Sequence, residues 1–280
     1  MAYKDGYFKF GRIKSYYRVW LKDEPSDIVI IVHGIGEHLA RYENFAEKLM
    51  DNGFGVASFD LIGHGRSRGI RGHVSRFDDY LEQLSEFIKF IRSQYGKRGL
   101  FLIGHSLGGL IALNFVLKNP EIFQGVVLSS PALALRIKPT WFELNMARAF
   151  SRILPFYTQN NRINTKFLSH DRSVVLAYDA DTLCHHKISA RLYTEMVGAM
   201  KYAGDNMRGI SIPILILQAG SDKIVNPETS SAAFQTIVSR DKDLHIYPGL
   251  FHEIFNEIDN AQVIDDLLSW LKKRRNNATA

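Results

Sequence analysis

Ser106 sits in Gly104-His105-Ser106-Leu107-Gly108-Gly109, a G-x-S-x-G segment between an apolar run, Leu100 to Ile103, and an apolar helical pattern, Leu107 to Lys118. A serine hydroxyl attacks carbonyls when a tight strand-to-helix turn exposes it and a base takes its proton. The flanking glycines permit that turn, because Cβ atoms there would collide with the neighbouring strand and helix. A helix starting directly behind the serine aims its amides at the place where negative charge develops. The chemistry available to such a residue is acyl transfer through a covalent acyl-enzyme.

The base and the acid that orients it must come from elsewhere in the chain. Of the ten histidines, only His245 and His252 lie well beyond the central segment. His245 falls inside a strand pattern, Leu244 to Tyr247, and reads as structural. His252 follows Pro248-Gly249-Leu250-Phe251, a loop after that strand, and is the expected base. Asp222 stands at the exit of the strand Pro213 to Leu217 and is the expected acid. Asp241 and Asp243 precede the last strand and lie at its wrong end. The order serine, acid, histidine is the one that G-x-S-x-G enzymes use.

His33-Gly34-Ile35-Gly36 follows a third buried run. Ile35, freed by glycines on both sides, is the expected donor of one oxyanion amide, and Leu107 of the other. His33 is expected to brace this loop, and His64 to brace the glycine turn Asp60 to Gly65. His33 with His38, and Cys184-His185-His186, lack the H-E-x-x-H or paired C-x-x-C spacing of metal sites. No dinucleotide or Walker pattern is present, so neither a metal nor a cofactor is expected.

The elements that must hold these residues alternate. A hairpin is expected over Tyr7 to Phe10 and Ile13 to Leu21, buried strands over Asp27 to Val32 and Gly55 to Phe59, and helices over Tyr42 to Asp51 and Asp79 to Tyr95. A strand over Gly125 to Leu128 follows. Alternation resumes at Pro213 to Leu217 with helix Pro227 to Val238, strand Leu244 to Tyr247 and helix Asn260 to Arg275. Strands that alternate with helices imply an α/β fold with a mostly parallel sheet covered on both faces. Between Ala132 and Gly209 helical and loop patterns replace strands, with many bulky apolar residues. The expected organisation is a core of residues 1–131 and 210–280 and an all-helical cap of residues 132–209 over the carboxyl edge of the sheet, where such sheets keep their sites.

Composition narrows the function classes. Of 280 residues 46% are hydrophobic, yet no run approaches the roughly 20 apolar residues of a membrane span. The N-terminal MAYKDGYFKF lacks the apolar stretch of a secretion signal, and the single cysteine, Cys184, forms no intrachain disulfide, so a cytoplasmic protein is expected. The net charge of +6 is scattered, its one dense run, Lys272 to Arg275, closing a helix where cations suit the dipole. No aromatic-interleaved basic stripe is present, so nucleic acid is not an expected partner.

Four ordered motifs resemble one branch of the α/β-hydrolases, the monoacylglycerol lipase and lysophospholipase family. His33-Gly34-Ile35-Gly36-Glu37-His38 with Arg41-Tyr42 resembles its HGxGEH…RY segment, and Asp60 to Ser67 (DLIGHGRS) its D-x-x-GHG-x-S loop. Gly104 to Gly109 matches its nucleophile elbow. Gly220-Ser221-Asp222 and Phe251-His252-Glu253 stand where it keeps acid and base. Ile35 departs from the small residue usual there and would narrow the acyl-site wall. The resemblance implies an α/β-hydrolase fold with a helical cap and hydrolysis of single-chain acyl glycerides. It also places Glu37 and Arg41 near the alcohol side of the substrate, or in a structural ion pair. Carboxylesterase, lysophospholipase and thioesterase chemistry use the same triad, and a non-catalytic binding protein on this scaffold is the reading of another class. Trp141, Phe142 and Phe156 of the cap are expected to face the acyl pocket. The apolar cap mouth and the positive charge also make transient contact with a membrane surface an expected partner interaction.

Overall fold

The computed structural model describes residues 3–22, 24–136 and 140–275. The strands are β1 (Lys4–Phe10), β2 (Ile13–Trp20), β3 (Asp27–Val32), then β4 (Gly55–Phe59) after helix α1 (Glu43–Asp51). Helix α2 (Asp78–Tyr95) leads into β5 (Gly99–His105), α3 (Leu107–Lys118) and β6 (Gly125–Ser129). The insertion holds α4 (Trp141–Ile153), β7 (Thr158–Asn160), α5 (Arg172–Ala180), β8 (Lys187–Ser189) and α6 (Ala190–Asn206). The chain then returns through β9 (Ile214–Ala219), α7 (Pro227–Thr236), β10 (Lys242–Tyr247) and α8 (Ala261–Arg274).

The main sheet has eight strands in the order β1-β2-β4-β3-β5-β6-β9-β10. From β4 to β10 every pairing is parallel, and β2 joins β4 and β1 antiparallel. The apolar run Asp27–Val32 works on both faces because side chains alternate. Ile28, Ile30 and Val32 join the core beneath α2, α3 and α6, while Val29 and Ile31 join the core beneath α1 and α8. The order places the carboxyl ends of β3, β5, β9 and β10 in one row, where the chain must turn out of the sheet.

The insertion is not all-helical. Thr158–Asn160 and Lys187–Ser189 form a two-stranded antiparallel ribbon, with Gln159 opposite Ile188. Three residues per strand, polar in β7, leave no apolar run or alternation by which to detect it. The ribbon and the segment around it are bonded to the core loops: Ser189 N–H donates to Gly72 O at 2.8 Å and His185 N–H to Gly36 O at 2.8 Å. Gly36 has φ +78, and a Cβ there would overlap the carbonyl oxygen of His185, so this close seat needs glycine.

Candidate active site

The elbow at the end of β5 carries its strain at one residue. Ser106 has φ 54 and ψ −116, in the left-handed region that few residues other than glycine occupy. The turn closes because Gly108 has no side chain, since a Cβ there would overlap Val32 O of the adjacent strand. Ser106 N–H donates to Ser129 O at 3.0 Å, and α3 begins at the next residue.

His252 and Asp222 meet on loops after the neighbouring strands β10 and β9. His252 Nδ1 lies 2.7 Å from Asp222 Oδ2, and both side chains are buried. The other carboxylate oxygen, Oδ1, accepts from Ile224 N–H at 2.8 Å and Val225 N–H at 3.0 Å. Both oxygens of Asp222 are therefore acceptors, which makes Nδ1 of His252 the donor and leaves Nε2 as the basic nitrogen. Burial alone would raise Asp222, but the facing imidazole and these hydrogen bonds hold it below the usual carboxylate range. Burial would lower His252, yet Asp222 outweighs it and keeps the imidazole more basic than usual. The other histidine of the elbow, His105, is pushed by burial down to about 3 and stays neutral, its ring 4.7 Å from that of His252.

Ser106, His252, Ile35 and Glu37 line one cavity, together with Tyr178 and Leu168 from the insertion. Neither the Ile35 nor the Leu107 amide donates to a protein acceptor among the described residues. The loop carrying Ile35 is fixed from both sides: Gly34 N–H donates to Glu37 Oε1 at 2.5 Å, and His33 bonds Gly34 O through Nδ1 while accepting from Leu61 N–H at Nε2. His33 is thus a neutral brace, with burial pushing it down to about 3. His64 braces its own turn through Nδ1 to Ile62 O at 3.0 Å.

Glu37 and Arg41 form a buried ion pair. Arg41 donates to Glu37 Oε2 at 2.9 Å and grips both oxygens of Glu253, at 2.5 and 2.7 Å. Its guanidinium lies under the Tyr178 ring, 4.8 Å from the centroid. Of the two carboxylates, Glu253 is held down to about 2 because the two-pronged contact with Arg41 overcomes its burial. Glu37 is pushed up by burial, with the Glu253 charge adding to the rise, so it takes a proton first.

Trp141, Phe142 and Phe156 do not line this cavity. They are 75%, 58% and 60% exposed. Helix α4 buries only Ser151, which meets Arg191 and Thr194 of α6, so its bulky residues project outward. The apolar wall is made instead by Ile35, Ile163, Leu168 and Ile224. The cavity of about 20 Å³ has room for about one water.

Among the described residues, His38, Asp181 and Cys184 bring three ligand-type atoms within 4.8 Å of one another. His38 Nδ1 accepts from Ala40 N–H, so Nε2 carries the proton and donates to Asp181 at 2.8 Å. Burial pushes the Cys184 thiol up to about 12.

Tyr178, Leu168, Ile163 and Ile224 are lining residues that sequence patterns did not single out. Ile224, two residues after Asp222, could have been found from its position, whereas the other three reach the site only through the path of the insertion.

The model of the family described as Serine aminopeptidase, S33 (Hydrolase_4) matches residues 23–259. Phospholipase YtpA of Bacillus subtilis is 31% identical over 247 residues, 87% of this chain and 94% of the relative. The monoacylglycerol lipase of Mycolicibacterium smegmatis is 28% identical, over 93% of this chain and 94% of its own. Among solved structures, the monoacylglycerol lipase of Paleococcus ferrophilus is similar with a TM-score of 0.86 and 34% identity, covering 93% of this chain and 99% of that one.

Proposed function

The chain belongs to the S33 serine aminopeptidase (Hydrolase_4) family of α/β-hydrolases, and on that premise we propose that it hydrolyses monoacylglycerols through Ser106, His252 and Asp222. The observation that carries this reading is the buried Asp222–His252 pair at 2.7 Å, with Nε2 of the histidine left basic in the cavity that Ser106 lines. The ester carbonyl oxygen enters between the amides of Ile35 and Leu107. Ser106 attacks as His252 takes its proton, and Asp222 stabilises the imidazolium. His252 then protonates the departing glycerol, and water releases the fatty acid by the same route. Each oxyanion amide lowers the barrier by on the order of 3 kcal/mol. Neither metal nor cofactor enters this mechanism. Domain roles follow: residues 1–131 and 210–280 carry the triad, and 132–209 select the acyl chain.

The test is a panel of monoacylglycerols of graded chain length against short p-nitrophenyl esters, lysophospholipids, an acyl-CoA and a prolyl amide. The expected result is the highest kcat/KM on monoacylglycerols. The YtpA relative makes phospholipid esters the second reading, and higher kcat/KM on lysophospholipids would establish it. Turnover of the short activated esters alone would leave a general carboxylesterase, and of the acyl-CoA alone a thioesterase.

No helix among the described residues is long and apolar enough to cross a membrane. The protein meets its lipid at a surface instead: Trp141, Phe142, Ile153, Leu154 and Phe156 are each more than half exposed, and the chain carries a net charge of +6. Wild-type protein is expected to float with anionic vesicles, and Trp141→Asp/Ile153→Asp to lose about tenfold of that binding. Wild-type protein left at the bottom of the gradient removes the surface contact.

A further inference from the structure

The loop that carries His252 is bonded to the insertion along its length. His252 N–H donates to Phe167 O at 3.4 Å and Glu253 N–H to Leu168 O at 2.8 Å. One buried side chain, Glu257, joins the two segments at their far end. Its Oε1 accepts from Phe251 N–H at 2.6 Å, the residue before the base, and from His170 Nδ1 at 2.8 Å. Its Oε2 accepts from Ser169 Oγ at 3.1 Å and His170 N–H at 2.9 Å. The His170 ring stacks on that of Phe251, with centroids 3.7 Å apart. Three N–H donors thus converge on one carboxylate that is 4% exposed, one from the base loop and two from His170 of the insertion, while the Ser169 hydroxyl is shared with Asn256 O at 2.9 Å.

We propose that Glu257 is a positioning residue for His252, aligning the base with Asp222 only while the segment Phe167–His170 is docked. This rests on the reading of His252 as the base. A carboxylate is required because both oxygens face donors. Glutamine has the same shape, but its NH2 would oppose a backbone N–H whichever way the amide turns, that of Phe251 or that of His170. Either Phe251 or the docked segment at His170 would then be released, and the loop would lose the backbone geometry that holds His252 Nδ1 on Asp222. A displacement of about 1 Å at a reacting group costs on the order of 100-fold in rate.

The pH profile separates positioning from mere folding. Activity needs neutral His252, so kcat/KM rises as pH climbs through the pKa of that group. Asp222 raises this pKa, with Glu253 and Glu37 adding to it, Arg41 standing between those two and His105 neutral beside the ring. Loosening the Asp222 contact lowers it, and the acid limb moves to lower pH. In Glu257→Gln, kcat on a soluble p-nitrophenyl ester is expected to fall ten- to hundredfold, with KM changed less than about threefold. The acid limb is expected to shift down by about half a pH unit or more. If that variant fails to fold, Ser169→Ala/His170→Phe, which removes cap-side donors and keeps a stacked ring, is expected to move the limb the same way by less. A limb at the wild-type pH, with activity reduced only in proportion to the folded fraction titrated by a fluorophosphonate, overturns the proposal. Full activity in His252→Ala would instead sink the triad reading. Loss of activity there with an unmoved limb in Glu257→Gln would sink the positioning role alone.

Discussion

Replacing Ser106 with alanine is expected to lower kcat by about a millionfold, the size of loss seen when a serine hydrolase loses its nucleophile. Melting should stay within about 0.5 kcal/mol of wild type. Alanine keeps the Cβ and the same strained backbone, and the hydroxyl holds no contact on which the elbow depends. Asp222→Asn should lose about ten-thousandfold for a different reason. An asparagine amide facing His252 Nδ1 favours the tautomer whose proton sits on Nε2, which removes the base while leaving the ring in place. The two variants combined should lose no more than Ser106→Ala alone, since the three residues act on one step. The check is turnover of the best ester in the panel, with labelling by a fluorophosphonate as an independent readout. Residual turnover near the wild-type rate in Ser106→Ala would place the nucleophile elsewhere in the cavity.

The parts of this site that were legible in the sequence are those whose constraints are local. A nucleophile elbow needs glycine where neighbouring backbone passes, and Gly108 against Val32 O is such a place. Asp222 was legible as a candidate because β9, buried on both faces, shows as an unbroken apolar run, and the residues just past such a strand are where a parallel sheet exposes side chains. His252 follows the half-buried edge strand β10, whose run KDLHIY is mixed, and stands out by its place on the loop after the last strand instead. The same logic fails in the insertion. Bulk and apolarity at Trp141, Phe142 and Phe156 say that a surface will be covered, not whether the cover is the active site, the α6 helix or nothing within the chain. The ribbon of β7 and β8 escapes because three residues carry no period. Glu257 escapes because its hydrogen-bond partners include Ser169 and His170, about 87 positions earlier, which come to it only when the insertion folds back.

Arg41→Ala should be strongly destabilising while leaving the triad residues in place. Among the described residues Arg41 is the only group that pairs both Glu37 and Glu253; the two carboxylates are buried and the guanidinium is nearly so. Removing one partner of a buried ion pair costs about 3–5 kcal/mol, because the charge left behind has lost both water and its counter-ion. That is a large share of the 5–15 kcal/mol that holds a typical domain together. Arg41→Lys should recover little, since an ammonium cannot reproduce the two-pronged grip on Glu253. The penalty should also depend on pH in a definite sense. In the wild type Glu253 is depressed to about 2 from 4.5, so it contributes stability above pH 4.5 that is lost as pH falls towards 2. Without Arg41 both carboxyls become buried acids with raised pKa values, whose contribution is intact below 4.5 and lost as pH rises through the folded value. The gap between wild type and variant should therefore widen from pH 5 to pH 8, which urea unfolding at the two pH values measures. Activity should fall further than stability, because Glu37 also holds Gly34 N–H at 2.5 Å and so fixes the loop that presents the Ile35 amide. Fluorophosphonate labelling of the fraction that remains folded reads this second loss directly. A labelling rate equal to wild type would mean that the ion pair carries stability and has no part in the oxyanion loop.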